Sequence, residues 1–172
     1  THRRRDFALA PPEPTIVDEL ASAGVRTLGV GKISSIFSGS GIEGDVHTVD
    51  NADGIEAKIR AMEADEYGFV FTNLVDFDSK YGHRRDPEGY AACLRAFDEA
   101  LPRILAAAGP EDLILITADH GNADQMFELD KRSYAPLLRD DGTPRAKTSH
   151  SLNLVPCHVF APSVRLRLDP AV

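Results

Sequence analysis

The chain has no apolar run approaching the roughly 20 residues that a membrane-spanning helix needs, so no membrane partner is expected. Its start, Thr1-His2-Arg3-Arg4-Arg5-Asp6, turns polar and proline-rich and lacks the pattern of a secretory signal. Cysteine is scarce: Cys93 and Cys157 are the only two, and they do not form a metal-type pair. In a chain of this size they read as reduced core residues, which implies a cytoplasmic home. Positive charge is also short, with 19 basic residues against 27 acidic ones and a net charge of −8. Such a surface disfavours nucleic acid and anionic membranes as partners. Part of the acidity has another use, since carboxylates that bind a divalent cation are neutralised locally by it. No initiator methionine is present, and the chain is expected to be a piece of something longer.

What is there is an ordinary globular composition. With 172 residues, 42% apolar and 27% charged, the chain is long enough for one compact core and carries no sign of long disorder. Residues 1–13 read as an irregular connector. Pro14 to Ala23 reads as a short helix with Ile16, Val17 and Leu20 as its apolar stripe and Gly24 as its stop. Val25 to Val30 is an expected strand, Ser38-Gly39-Ser40-Gly41 a loop, and Gly54 to Ala64 a helix.

The second half is more informative. Gly68 to Val75 is a near-continuous apolar run, the pattern of a strand buried on both faces, and it empties into Asp76-Phe77-Asp78. Asp86 suits a helix N-cap and Pro87 the first helical position, with the helix running towards Ala108. Leu113 to Thr117 reads as another buried strand, ending in Ala118-Asp119-His120-Gly121, and Leu154 to Phe160 as the last strand. Between them, residues 122–149 look irregular and polar, with Asp140-Asp141-Gly142-Thr143-Pro144 carrying the chemistry of a reversal. Strands alternate with helices and no repeat is visible. The expected fold is α/β, a mostly parallel sheet flanked by helices.

In such sheets, sites form beyond the carboxyl ends of the strands. Two expected strands empty there into Asp78 with His83 and into Asp119 with His120, and His150 lies just before the last strand. Charges buried at strand ends cost several kcal/mol unless paired or metal-bound. Mixed imidazole and carboxylate ligands suit zinc, manganese or iron, and two such ions suit phosphoryl transfer. Each piece has a plainer reading on its own. The Asp119-His120 pair fits a cap plus a surface histidine, and Asp78 fits a solvated loop acid. Asp76 competes with Asp78, and His158 is the next histidine to consider after His150.

Longer motifs sharpen this. Phe71-Thr72-Asn73-Leu74-Val75-Asp76-Phe77-Asp78, then Tyr81-Gly82-His83-Arg84-Arg85-Asp86 and Gly89-Tyr90-Ala91, resemble the phosphopentomutases of the alkaline phosphatase superfamily. So do Arg4-Arg5-Asp6-Phe7-Ala8 with Pro11-Pro12, and Gly31-Lys32-Ile33 with Ile36-Phe37. Thr117-Ala118-Asp119-His120-Gly121 is similar to both that family and the cofactor-independent phosphoglycerate mutases. The resemblance implies an alkaline-phosphatase-like core, with residues 1–13 as a connector from a missing cap domain and 14–172 as the C-terminal part of the core. It implies Asp78, His83 and His150 on one divalent ion and Asp119 and His120 on another, both usually manganese. Lys32 would contact a phosphate of a small phosphorylated sugar.

Two departures from the family pattern stand out. Thirty residues separate His120 from His150, in the setting Lys147-Thr148-Ser149-His150-Ser151-Leu152-Asn153, where phosphopentomutases have a much shorter step. That ending, with Gly121-Asn122-Ala123-Asp124-Gln125-Met126, is closer to the phosphoglycerate mutases, whose substrate is therefore the alternative; Gly82-His83-Arg84-Arg85-Asp86 is not. The aspartate ligand and the Ser or Thr nucleophile that the superfamily places in its N-terminal half find no match. An inactive metal-binding fragment is thus the third reading, with the missing N-terminal half of the same protein as its natural partner.

Overall fold

A computed structural model describes residues 9–147 and 149–165 of the chain. The start of the expected connector, the Arg4-to-Ala8 motif and Thr148 lie outside the described residues. The chain divides into two compact units, one of residues up to Asp76 with Phe97–Ala107, the other of Phe77–Ala96 with residues from Ala108 onwards.

The first unit is a helix-flanked parallel sheet. Helix α1 (Ile16–Ser22) opens with Thr15 as a capping box: its hydroxyl accepts from the Asp18 amide, and the Asp18 carboxylate accepts from the Thr15 amide at 2.7 Å. Strand β1 (Thr27–Val30) is buried throughout and is followed by one helical turn, α2 (Ile33–Ile36). Strand β2 (Gly44–Val46) and strand β3 (Phe69–Thr72) flank β1 in the order β2-β1-β3, both parallel to it. Helix α3 (Asn51–Ala64) crosses between them, as a parallel pair requires. It packs Ala57 on Leu28 and Val30, with Val70 at the margin. Its N-cap, Asp50, accepts from the Asp53 amide at 2.9 Å, which starts the helix three residues before the expected Gly54.

One strand goes unread and one expectation is corrected here. The β2 segment carries no recognisable strand signal, because three residues that include a glycine and an aspartate show no alternation. The run around β3 is half-buried instead of buried on both faces: Val70 packs into the core, while Phe71 keeps 37% of its surface exposed beside the Phe37 ring.

In the second unit a π-helical turn (Phe77–Gly82) precedes helix α4 (Pro87–Ala106), whose first half belongs to this unit. Asp86 accepts from the Gly89 amide at 2.9 Å, the N-cap expected for α4. Strands β4 (Ile114–Thr117) and β5 (Cys157–Phe160) pair antiparallel in a sheet of their own. Strand β3, which leads to Asp76-Phe77-Asp78, belongs to the first sheet, and β4, which leads to Asp119-His120, to the second. Strand β4 is not buried as expected: Ile114 is, but Leu113 and Leu115 stay 65% and 59% exposed. Two strands alone cannot cover both of their faces. The last strand begins at Cys157, later than Leu154, because Pro156 has no N–H to give the ladder. Residues 122–147 are irregular and reverse twice, within residues 130–135 and at Asp141-Gly142, where Gly142 has φ +80° and the Asp141 carboxylate accepts from the Thr143 amide at 2.9 Å.

Hydroxyl donors from Ser40 and Thr15 draw the Asp18 carboxyl down from its ordinary 3.8 to about 2. Its folded pKa lies below its unfolded one, so Asp18 stabilises the fold above pH 3.8 and loses that effect as pH falls towards 2. Thermal unfolding followed from pH 5 to pH 2 should therefore show a shallower acid decline for Asp18→Asn than for the unaltered chain. Parallel declines would remove Asp18 from the account.

Candidate metal centre

Asp78 sits in the π-helical turn, and the residue after that turn is His83, whose amide donates to the Asp78 carbonyl at 2.9 Å. The same turn brings the side chains together, with His83 Nε2 3.0 Å from Asp78 Oδ2. From far along the chain, His150 Nε2 arrives 3.5 Å from Asp78 Oδ1 and 3.4 Å from His83 Nε2. The His120 ring stacks on the His150 ring, with centroids 3.5 Å apart and planes 9° from parallel. One ligand atom each from Asp78, His120 and His150 lies within 4.8 Å of the others. Four of the five expected ligands thus meet. Asp119 does not join them as closely: its side chain is 78% exposed, and its Oδ1 lies 3.7 Å from His120 Nε2.

Asp76, the competing acid, is used elsewhere. It is 6% exposed, its Oδ2 accepts from the Asn51 amide at 3.0 Å, and its own amide donates to Asn51 Oδ1 at 3.0 Å. This pairing closes the first turn of α3. His158 lies in β5, opposite Ile116. Lys32 is exposed at the carboxyl end of β1 in the first unit, where its carbonyl accepts from the Ser35 hydroxyl at 2.8 Å.

The imidazoles are held by groups the sequence did not single out. His120 Nδ1 lies 3.3 Å from the Gly121 carbonyl, and donating there leaves Nε2 with its lone pair free for a metal. The Gly121 carbonyl in turn accepts from the Ser151 amide at 2.9 Å, which ties the residue after His120 to the residue after His150. The Ser151 hydroxyl and the Asn153 amide both donate to the Asp124 carboxylate. Burial pushes the Asp124 carboxyl up, but these two bonds, its own backbone amide and the Lys147 charge together bring it below the usual range. Asp124 is therefore an anion that fastens the His150 segment. A Cβ on Gly121 would collide with the Ser151 hydroxyl and the Asp124 carboxylate, so a larger residue there would displace the bond between them. Beneath the cluster, Tyr90 packs on Phe77 with ring centroids 5.5 Å apart. Burial raises its phenol, and the negative charges of Asp124 and Asp78 add to the effect.

Two imidazoles and a carboxylate, from His120, His150 and Asp78, at these separations fit a divalent ion of borderline softness, with His83 beside Asp78. Nitrogen lone pairs 3.4 Å apart gain from a shared cation between them, and the hydrogen-bonded ring and carboxylate supply the oriented support that metal ligands need.

A parallel sheet flanked by helices, together with an imidazole–carboxylate cluster of this kind, defines a candidate metalloenzyme core. Residues 17–169 match the family model of the Metalloenzyme superfamily, and the chain belongs to that superfamily. It is 52% identical over 139 residues to a phosphopentomutase of Symbiobacterium thermophilum, covering 80% of this chain and 35% of that protein. It is 47% identical over 139 residues to a phosphopentomutase of Clostridioides difficile, covering 80% of this chain and 36% of that one. The chain thus spans about a third of the length of these curated relatives. A phosphoglycerate mutase of Leishmania mexicana, solved at low cobalt concentration, shares the fold with a TM-score of 0.68 and 24% identity, over 90% of this chain and 32% of that one. Among the described residues no helix is long and apolar enough to cross a membrane.

Proposed function

We propose that the chain is the C-terminal part of the metal-binding core of a phosphopentomutase, which interconverts ribose or deoxyribose 1-phosphate and 5-phosphate through a phosphoenzyme. The observation that carries this reading is the meeting of Asp78, His83, His120 and His150 in a chain 52% identical to a phosphopentomutase. Two divalent ions, manganese in this reading, would neutralise charge on the transferring phosphoryl group and favour the nucleophile's alkoxide.

The chain's own residues have distinct tasks. Asp78, His83 and His150 would hold one ion. His120 and the exposed Asp119 carboxylate would hold the second. Asp124, through Ser151, keeps His150 facing His120. Lys32 donates to a phosphate oxygen of the sugar phosphate, a point charge suited to a mobile dianion. The hydroxyl that carries the phosphoryl group, and a further aspartate, come from the two thirds of the relatives that this chain does not span. The exposed Leu113 and Leu115 support such a covering segment, since apolar strand faces of this kind mark a contact surface. The enzyme hands its phosphoryl group to the pentose monophosphate, giving a bisphosphate, and takes back the other one. Net reaction moves the phosphate and consumes nothing.

The test is an assay of the full-length protein with manganese against ribose 1-phosphate and against 3-phosphoglycerate. Turnover of the ribose phosphate, exceeding that of the glycerate by orders of magnitude, is the expected result. The reverse preference would transfer the protein to the phosphoglycerate mutases, whose pattern residues 147–153 resemble.

A further inference from the structure

Asn122 donates to the Asp78 carboxylate, and Arg85 donates in turn to Asn122. We propose that Arg85 and Asn122 form a one-way relay that fixes the rotamer of Asp78, making Asn122 a positioning residue for the metal; this rests on reading the cluster as a metal centre.

Asn122 is only 6% exposed, so both halves of its amide must be paired. Arg85 Nη1 donates to Asn122 Oδ1 at 2.9 Å, and Asn122 Nδ2 donates to Asp78 Oδ1 at 2.5 Å. The oxygen and nitrogen of an amide are alike in shape, so its orientation has to come from its neighbours. Here the neighbours leave one choice. A guanidinium only donates and a carboxylate only accepts, so the carbonyl must face Arg85 and the NH2 must face Asp78.

The consequence falls on the acid. The terminal torsion of an aspartate is broad and roughly two-fold, so a free Asp78 would present either oxygen in many directions. With Oδ1 engaged by Asn122 and 3.5 Å from His150 Nε2, Oδ2 is left on the side of His83, 3.0 Å from its Nε2. The ordering of the carboxylate is then completed on folding and not at the moment an ion binds, which raises affinity.

The backbone is shaped around this relay. A Cβ on Gly82 would lie 2.6 Å from Asn122 Nδ2, so only glycine lets the amide reach Asp78. Arg85 stands at φ +56°, a left-handed conformation that costs a non-glycine residue about 1 kcal/mol or more. There its Nη1 also donates to the Gly82 carbonyl at 2.9 Å, which holds the guanidinium facing Asn122.

Cobalt(II), whose visible bands report its ligands, is titrated into the metal-free full-length protein and its variants. Asn122→Ala should weaken binding by about 10–100-fold, the range for lost outer partners of metal ligands. Asn122→Asp keeps the volume and the Arg85 contact but sets a carboxylate against Asp78, and should weaken binding at least as much. Arg85→Met should weaken it less, and the double variant Arg85→Met/Asn122→Ala should be no worse than Asn122→Ala alone, because Arg85 acts through Asn122. Far-UV circular dichroism and metal-free unfolding midpoints identify any variant that fails to fold; if Asn122→Ala does, Asn122→Asp and Arg85→Met decide. Unchanged affinity in a folded Asn122 variant overturns the relay, as does a double variant whose loss is the product of the single losses. If the unaltered protein takes up no cobalt, the metal centre itself is wrong and the relay falls with it.

Discussion

His120→Ala in the full-length protein is expected to strip bound metal and to lower mutase turnover by at least ~100-fold, which is about 2.7 kcal/mol of transition-state stabilisation. The size follows from comparison with weaker perturbations. Losing only the outer partner of a metal ligand costs about 10–100-fold in affinity or activity, so losing the ligand itself must cost more. His120 is also where two parts of the site join. Its ring stacks on His150 at 3.5 Å and its neighbour Gly121 accepts from the Ser151 amide, so truncation leaves the His150 ring without its stacking partner. Metal content by plasma mass spectrometry, set beside the ribose phosphate assay, checks both halves. Near-normal turnover with a full complement of metal would remove His120 from the site.

The second large effect concerns the chain by itself. The 172 residues alone are expected to show no measurable mutase turnover, while retaining weak metal binding. A mutase needs a hydroxyl to carry the phosphoryl group between its two transfers. Ser151, beside His150, is already engaged by both oxygens of Asp124 at 2.9 and 2.8 Å. Metal binding should persist because Asp78, His83, His120 and His150 are gathered within this chain's second unit. It should be weaker than in the longer protein if that protein adds an aspartate. The check is an assay of the chain purified from a host that lacks its own mutase. Robust conversion would mean that a hydroxyl within these residues does the work.

Much of the fold was legible because its elements carry periodic or capping signals. Asp86 caps α4 as its sequence suggests, and Val25 to Val30 announces β1 by composition, whereas the Thr15 and Asp50 caps go unread and α1 and α3 are placed from Pro14 and Gly54. What escaped notice lacks such signals. Strand β2 is three residues long and is stabilised by its ladder to β1, a partner the local sequence does not reveal. The π-helical turn at Phe77–Gly82 repeats too few residues to show a period. Burial was over-read for β3 and β4, because an apolar run states what a strand prefers to touch and not what the chain supplies to touch it.

The site divides along the same line. Asp78, His83, Asp119, His120 and His150 stand out because ionisable residues follow apolar strands in motifs of known type. The residues that hold them do not. Asn122 reaches Asp78 across 44 positions and Arg85 across 37, between irregular segments, and hydrogen bonds of that range leave no spacing to read. Asp124 could have been suspected only from its place between the two histidines. Choosing Asp78 over Asp76 likewise needed the fold, since only there does Asp76 turn to the first residue of α3.

The central claim is that Asp78, His83 and His150 surround one metal ion. A crystal of the protein soaked in manganese and measured at the manganese absorption edge tests it most directly. The account predicts an anomalous difference peak bonded to Asp78 Oδ2 and to the Nε2 atoms of His83 and His150, at roughly the 2.0–2.2 Å of imidazole and carboxylate ligation. Well-ordered density for all three side chains with no anomalous peak among them at saturating manganese would contradict it.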